Sequence, residues 1–262
     1  MNRINRRFEE LRGRNEKALA LFVTAGFPHA DSTPGLVGAL EKGGADIIEL
    51  GLPFSDPLAD GPVIQDSSAR ALANGVTLES ILDDVHTIRE FSEIPILLMG
   101  YLNPILRFGE KLFFADAARA GVDGVILPEV PVEEFDRFSH MIRRNGLAGV
   151  LLVTPESPPD RIRLIDAVTS GFLYCVSTTG VTGTRSNSTP EGYLRQIRSH
   201  GVRHPVMVGF GIASPDDAGR YASIADGVIV GSALIRFLSS TPSHEAVVEW
   251  VRGFKTAVRG GG

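Results

Sequence analysis

Short apolar runs alternate with helical patterns along nearly the whole chain, and this alternation restricts the fold more than any other feature. Runs at Leu19–Thr24, Asp46–Leu50, Ile96–Met99, Asp123–Leu127, Ala148–Val153, Phe172–Val176, Val206–Gly209 and Asp226–Val230 read as buried strands. Between them the apolar spacing becomes that of a helix face, as in Ile81, Leu82, Val85 and Ile88, or Phe135, Phe138 and Ile142. Thr33-Pro34 and Ser214-Pro215-Asp216-Asp217 carry helix-opening signals, and Gly146 ends the helix that Pro131 begins. Helices are also predicted over Ile64–Ala73, Lys111–Ala120, Pro159–Val168, Pro190–Arg198, Ala233–Phe237 and Glu245–Val258. Ile4, Phe8 and Leu11 form a short amphipathic helix ahead of the first strand, and Tyr101–Pro104 is read as a loop.

About eight strand–helix units in 262 residues predict an α/β fold, a (β/α)₈ TIM barrel occupying 1–262 as a single domain. A doubly wound open sheet is the rival, and the even spacing weighs against it. In a barrel the long polar loops that follow the strands form the catalytic face. Those loops would gather Glu49, Asp60, Tyr101, Glu129, Tyr174, Gly209–Gly211 and Gly231-Ser232.

Within this frame the stretch from Ile47 to Gly61 stands out. Glu49 ends an apolar strand, where a carboxylate is expensive without a partner or a task. Asp60 follows in a loop that could fold over the same end. Two carboxylates in unlike environments suit split acid and base roles. The plainer alternative is a strand-end acid paired with Lys or Arg, plus a helix-capping Asp.

Other chemistries are set aside. The net charge of −5 argues against a nucleic-acid footprint. The single cysteine, Cys175, excludes an intrachain disulfide and reads as a buried core thiol. The histidines show no metal-type spacing, so no metal site is expected; no Gly-x-Ser-x-Gly elbow occurs, and no lysine lies in a strand core, which argues against a Schiff-base barrel. No apolar run approaches a membrane span, and the charged N-terminus lacks a signal-peptide core, so a cytoplasmic location is expected by default. Exposed glycines at Gly180–Gly183, Gly209–Gly211 and Gly231-Ser232, late in the chain, favour a phosphate held by backbone N–H groups. A carboxylate-driven reaction on a phosphorylated substrate remains.

The run Glu49-Leu50-Gly51-Leu52-Pro53-Phe54-Ser55-Asp56-Pro57-Leu58-Ala59-Asp60-Gly61-Pro62-Val63-Ile64-Gln65 closely resembles the signature of the tryptophan synthase alpha chains. The resemblance extends through Phe22–Gly26, Met99–Pro104, Gly171–Tyr174, Gly180–Gly183, Gly209–Ile212 and Gly231-Ser232. It implies a barrel lyase that cleaves indole-3-glycerol phosphate to indole and glyceraldehyde 3-phosphate. It further implies a beta chain partner in an alpha2-beta2 heterotetramer, with pyridoxal phosphate on the beta chain alone and no cofactor on this one. By the same resemblance Glu49 is the acid–base residue, Asp60 the partner of the indole N–H, and Tyr174 a hydroxyl beside them. Thr182 meets Asp60 on loop closure. Phe22, Tyr101, Leu127, Phe210 and Ile229 are candidates for the indole pocket, and Gly183, Gly211, Gly231 and Ser232 for the phosphate grip. Asp56 and Glu129 match positions used toward the partner, although the family generally has Asp where Glu129 stands. The loop Thr154–Pro159 also varies a family pattern. Kept alongside are a stand-alone indole-releasing lyase, a non-catalytic activator of a beta chain, and another phosphate-binding barrel.

Overall fold

The computed structural model describes residues 2–176, 190–209 and 211–260. The apolar runs form nine strand segments: β1 Ala18–Thr24, β2 Ile47–Gly51, β3 Ile96–Met99, β4 Gly124–Ile126, β5 Ala148–Val150, β6 Leu152–Val153, β7 Leu173–Cys175, β8 Val206–Val208 and β9 Gly227–Val230. Neighbours bond in the order β5-β4-β3-β2-β1-β9-β8-β7-β6, and every pairing is parallel. β5 and β6 are two halves of the one run expected over Ala148–Val153, divided at Leu151. The first half bonds β4 and the second bonds β7, so this run closes the sheet into a barrel. Barrel closure staggers the register, which is why a single run can serve different neighbours along its length.

Side-chain parity then sorts the residues. Ala20, Ile47, Leu97, Ile126, Val150, Tyr174, Met207 and Ile229 cluster inside the barrel. Leu19, Leu21, Ile48, Leu50, Leu98, Val125, Val208 and Val228 pack outward beneath the helices. The helix Arg3–Gly13 closes the lower end with Ile4, Phe8 and Leu11, and Phe8 meets Phe172 edge-on at 6.0 Å. The Asn2 carboxamide oxygen accepts the Ile4 N–H at 2.9 Å, capping that helix, while its amide nitrogen donates to the Asp123 carbonyl at 2.7 Å.

The expected loop at Tyr101–Pro104 is instead the start of a helix, Leu102–Phe108. Pro104 lies in its first turn, where a backbone N–H has no intrahelical acceptor to lose. Ser214 caps the helix Pro215–Ala222 by a reciprocal arrangement with Asp217, as its sequence suggests. Among the described residues, no helix is long and apolar enough to cross a membrane.

Candidate active site

Glu49 projects inward from β2, in register with Phe22 on β1 and Leu97 on β3. It is 0% exposed, and neither carboxyl oxygen has a hydrogen-bond partner among the described residues. Burial pushes its carboxyl up to about 8, so it holds its proton at neutral pH. The alternative of a strand-end acid paired with Lys or Arg finds no such partner among the described residues.

Across the barrel, Tyr174 projects from β7 beside Leu152 and Met207. Its phenol is pushed well above the ordinary tyrosine range, first by burial and then by the nearby carboxyls of Glu49 and Asp60. Gly209 makes room for it: a Cβ there would stand 2.5 Å from the Tyr174 hydroxyl. The same device serves Phe22, whose ring lies where a Cβ on Gly51 would come within 2.5 Å. These two glycines shape the site by subtraction. Gly209 was expected in a phosphate grip, and the place of Gly51 at the end of β2 was the available signal for its role.

Asp60 lies in the loop after β2. Burial pushes its carboxyl up to about 6, against the lowering effect of a hydrogen bond from the Tyr101 hydroxyl. That hydroxyl also accepts the Ala59 N–H at 2.9 Å. The Gln65 amide donates to the carbonyls of Asp60 at 3.0 Å and Pro57 at 3.4 Å, tying the turn to the next helix. Asp60 does not cap that helix, because Pro62–Ala73 begins after Gly61 with no side-chain capping bond. Tyr101 is buried, with its ring 5.4 Å from that of Phe54. Burial, followed by the charge of Asp60, pushes its phenol up to about 12.

Ile229 belongs to the interior cluster, in register with Ala20. Leu127 does not, and this corrects its expected place in the pocket. It continues the outward parity of Val125 and lines a cavity with Val132, Leu151 and Ile165, while Ile126 takes the inward position. Gly211 has φ +63°, and among the described residues nothing lies within 4 Å of where its side chain would stand; Gly231 precedes the helix Ser232–Leu238. Thr182, Gly183 and Phe210, with Gly180 and Val181, lie outside the described residues.

Asp56 is exposed and accepts the Ser55 hydroxyl at 2.5 Å. Glu129 reaches back across adjacent strands, its Oε1 accepting the Leu102 N–H at 2.5 Å. A cavity opens beside the Asp56 loop, between Pro53, Phe54, Leu72, Asn103, Pro104 and Arg107. Cys175 is buried, and burial pushes its thiol up to about 12, as suits a core residue. Among the described residues, no group of three or more His, Cys, Asp or Glu is arranged to hold a metal ion.

A buried neutral carboxyl, a second carboxyl and two phenols, set among apolar side chains, make a site chemically able to give and take protons. Comparison with known proteins points the same way. The family model of the tryptophan synthase alpha chain matches residues 8–258. The tryptophan synthase alpha chain of Geotalea uraniireducens is 48% identical, over 100% of this chain and 98% of its own. That of Geotalea daltonii is 52% identical over 90% of each. The crystal structure of tryptophan synthase subunit alpha from Legionella pneumophila superposes with a TM-score of 0.91 at 37% identity, covering 98% of both chains. A chain from tryptophan synthase of M. tuberculosis, in an aminoacrylate-bound form, gives 0.88 at 31% identity, over 99% of this chain and 100% of that one.

Proposed function

The chain belongs to the tryptophan synthase alpha chain family, and from that premise we propose that Glu49 and Asp60 carry out its cleavage chemistry. The reaction splits indole-3-glycerol phosphate into indole and D-glyceraldehyde 3-phosphate, a carbon–carbon lyase step in L-tryptophan biosynthesis. Glu49, protonated at neutral pH because it is buried, gives its proton to indole carbon 3. The ring becomes cationic and serves as an electron sink. Asp60, with its carboxyl at about 6, is mostly ionised at pH 7 and accepts the indole N–H, stabilising that cation. The bond from carbon 3 to the side chain then breaks, its electrons return to the ring, and the side-chain hydroxyl loses a proton to Glu49. One proton enters and one leaves, so the balance closes without a cofactor on this chain.

Tyr174 keeps its proton and offers a hydrogen bond beside Glu49. Phe22, Tyr101, Ile126 and Ile229 form the walls around the ring. Gly211, Gly231 and Ser232 offer backbone N–H groups to the phosphate, with Gly183 completing the grip and Thr182 meeting Asp60. Membership implies a beta chain partner. We assign Asp56, Glu129 and the groove beside Phe54 to that contact, in an alpha2-beta2 assembly whose pyridoxal phosphate lies on the beta chain.

The observation that carries this reading is Glu49: a buried carboxyl with no partner among the described residues. The test is indole release from indole-3-glycerol phosphate, by the chain alone and then with a beta chain. A slow rate that rises on addition is expected, and Glu49→Gln should lower it by about 10²–10⁴-fold with the fold intact. Near wild-type turnover in that variant removes Glu49 from the mechanism. Asp60→Asn should lose about 10²-fold or more. The pH profile of kcat/KM should be bell-shaped, falling below about 6 as Asp60 is protonated and above about 8 as Glu49 ionises.

A further inference from the structure

We propose that Glu129 is a positioning residue for the active site, whose carboxylate caps the helix Leu102–Phe108 and thereby sets Tyr101 against Asp60. This rests on the role given to Asp60 above. The first N–H groups of a helix have no acceptor within it. Tyr101 occupies the capping position of this helix, yet its side chain makes no capping bond. Its hydroxyl is engaged instead with the Ala59 N–H and the Asp60 carboxyl. The Leu102 N–H goes to Glu129 at 2.5 Å, a charge-assisted bond that supplies the missing cap.

This bond also extends the barrel. The backbone ladder between the β3 and β4 edges ends with the Gly100 N–H on the Ile126 carbonyl at 3.1 Å. Beyond that rung, the Glu129 side chain joins the two loops where backbone no longer does. The bond fixes the peptide between Tyr101 and Leu102, and so the direction in which the Tyr101 ring leaves the chain. Tyr101 is 5% exposed and held by Phe54, so a turn of that peptide would carry its hydroxyl away from the Ala59–Asp60 turn. Glu129 itself is exposed and far less costly to change than any residue beneath it.

The charged and titratable groups on this face allow a test with opposite signs. Tyr101 is influenced by Asp60 and Glu129, and Tyr174 by Glu49 and Asp60. Removing only the negative charge of Glu129 would make Asp60 easier to ionise. Loosening Tyr101 removes the hydrogen bond that lowers the Asp60 pKa, and so makes Asp60 harder to ionise.

The experiment compares Glu129→Ala, Glu129→Gln, Tyr101→Phe and the double variant Glu129→Ala/Tyr101→Phe on the isolated chain. Glu129→Ala should lower kcat/KM by about three- to tenfold and move the acidic limb of the profile upward. Glu129→Gln keeps an acceptor for the Leu102 N–H and should recover most of that loss. The double variant should be no worse than Tyr101→Phe alone, because both changes act through one hydroxyl. A substrate phosphate titrating in the same range would leave its own limb where it was. Carbon NMR titration of the Asp60 carboxyl gives the same comparison without turnover. A Glu129→Ala chain with wild-type kcat/KM and an unmoved limb overturns the proposal. So does a limb that moves down, which would mean that only charge is sensed. Full activity in Asp60→Asn is a different failure, since it removes Asp60 from the reaction whatever Glu129 does.

Discussion

Asp46 and Glu49 lie close together in sequence and serve the same strand, one just before β2 and one within it, yet they are treated in opposite ways. Both are buried. Asp46 accepts the Leu19 N–H at 2.8 Å and the Lys255 ammonium at 2.6 Å. Glu49 has no partner among the described residues. The pattern repeats around the lower end of the barrel. Asp123, before β4, accepts the Ile96 N–H at 2.9 Å and the Arg89 guanidinium at 2.8 Å. Asp226, before β9, accepts the Val206 N–H at 2.8 Å and lies 3.0 Å from Arg198. Each acid sits before one strand and holds the N–H at the start of the preceding strand in the chain. A carboxylate supplied with donors is part of the scaffold. One kept without them in the same barrel keeps its proton, and that is the state the proposed acid step requires.

The comparison breaks most sharply if a scaffold acid is deprived of its partner. Lys255→Met would leave Asp46 buried with a backbone donor but no cation. Removing one member of a buried pair costs about 3–5 kcal/mol. Urea unfolding of the variant should register that loss, while indole release per folded molecule stays near wild type. A variant as stable as the wild type would mean that the lower acids do not depend on their cations.

The converse test concerns Glu49 and pH. Its folded carboxyl sits at about 8 against an ordinary value of 4.5, so between those values the folded chain keeps a proton that the unfolded chain releases. Stability contributed by this group is therefore lost as pH rises through that window, not gained. From pH 5 to pH 7 the loss should be about 2–3 kcal/mol. Asp60, raised in the same direction to about 6, adds to the slope mainly below pH 6. Glu49→Gln should flatten the dependence between pH 6 and 8 when unfolding is followed at several pH values. An unchanged slope would mean that Glu49 is ionised in the folded chain, which contradicts its role as the acid.

A smaller effect is expected where the upper end is shaped by missing atoms. Gly209→Ala places a Cβ within 2.5 Å of the Tyr174 hydroxyl. Tyr174 must shift, and activity should fall about tenfold with little change in unfolding, which an indole assay beside a urea titration can separate. A variant with full activity would release Tyr174 from any fixed position.

How much of this was legible from the residues depends on which property carried it. The barrel was legible because burial on both faces leaves continuous apolar runs, and the helices between them keep their own period. Glu49 was legible because an acid in such a run breaks its chemistry. Leu127 was misplaced because one step along a strand reverses the face, and the sequence does not mark that step when Ile126 and Leu127 are both apolar. The helix Leu102–Phe108 was missed because Pro104 is tolerated in a first turn as readily as in a loop. The bond from Glu129 to Leu102 and the space left by Gly209 for Tyr174 join residues far apart in the chain, and neither carries a local pattern.

The smallest effect returns to the lower end, where one member of the ring is not an acid. Ser170, before β7, accepts the Gly149 N–H at 2.9 Å, the same office that Asp46, Asp123 and Asp226 perform for their neighbours. A hydroxyl carries no charge, needs no cation, and can give and accept. Ser170→Ala leaves the Gly149 N–H without that acceptor at a half-buried place, so it should cost about 1 kcal/mol, well below the loss expected for Lys255→Met. Chemical unfolding should detect the shift, and the pH profile of indole release should not move. A loss as large as that of the acids would mean that the shared backbone bond, not the ion pair, holds the lower end together. In that case the contrast between Asp46 and Glu49 would lie in their backbone donors rather than in their partners' charge.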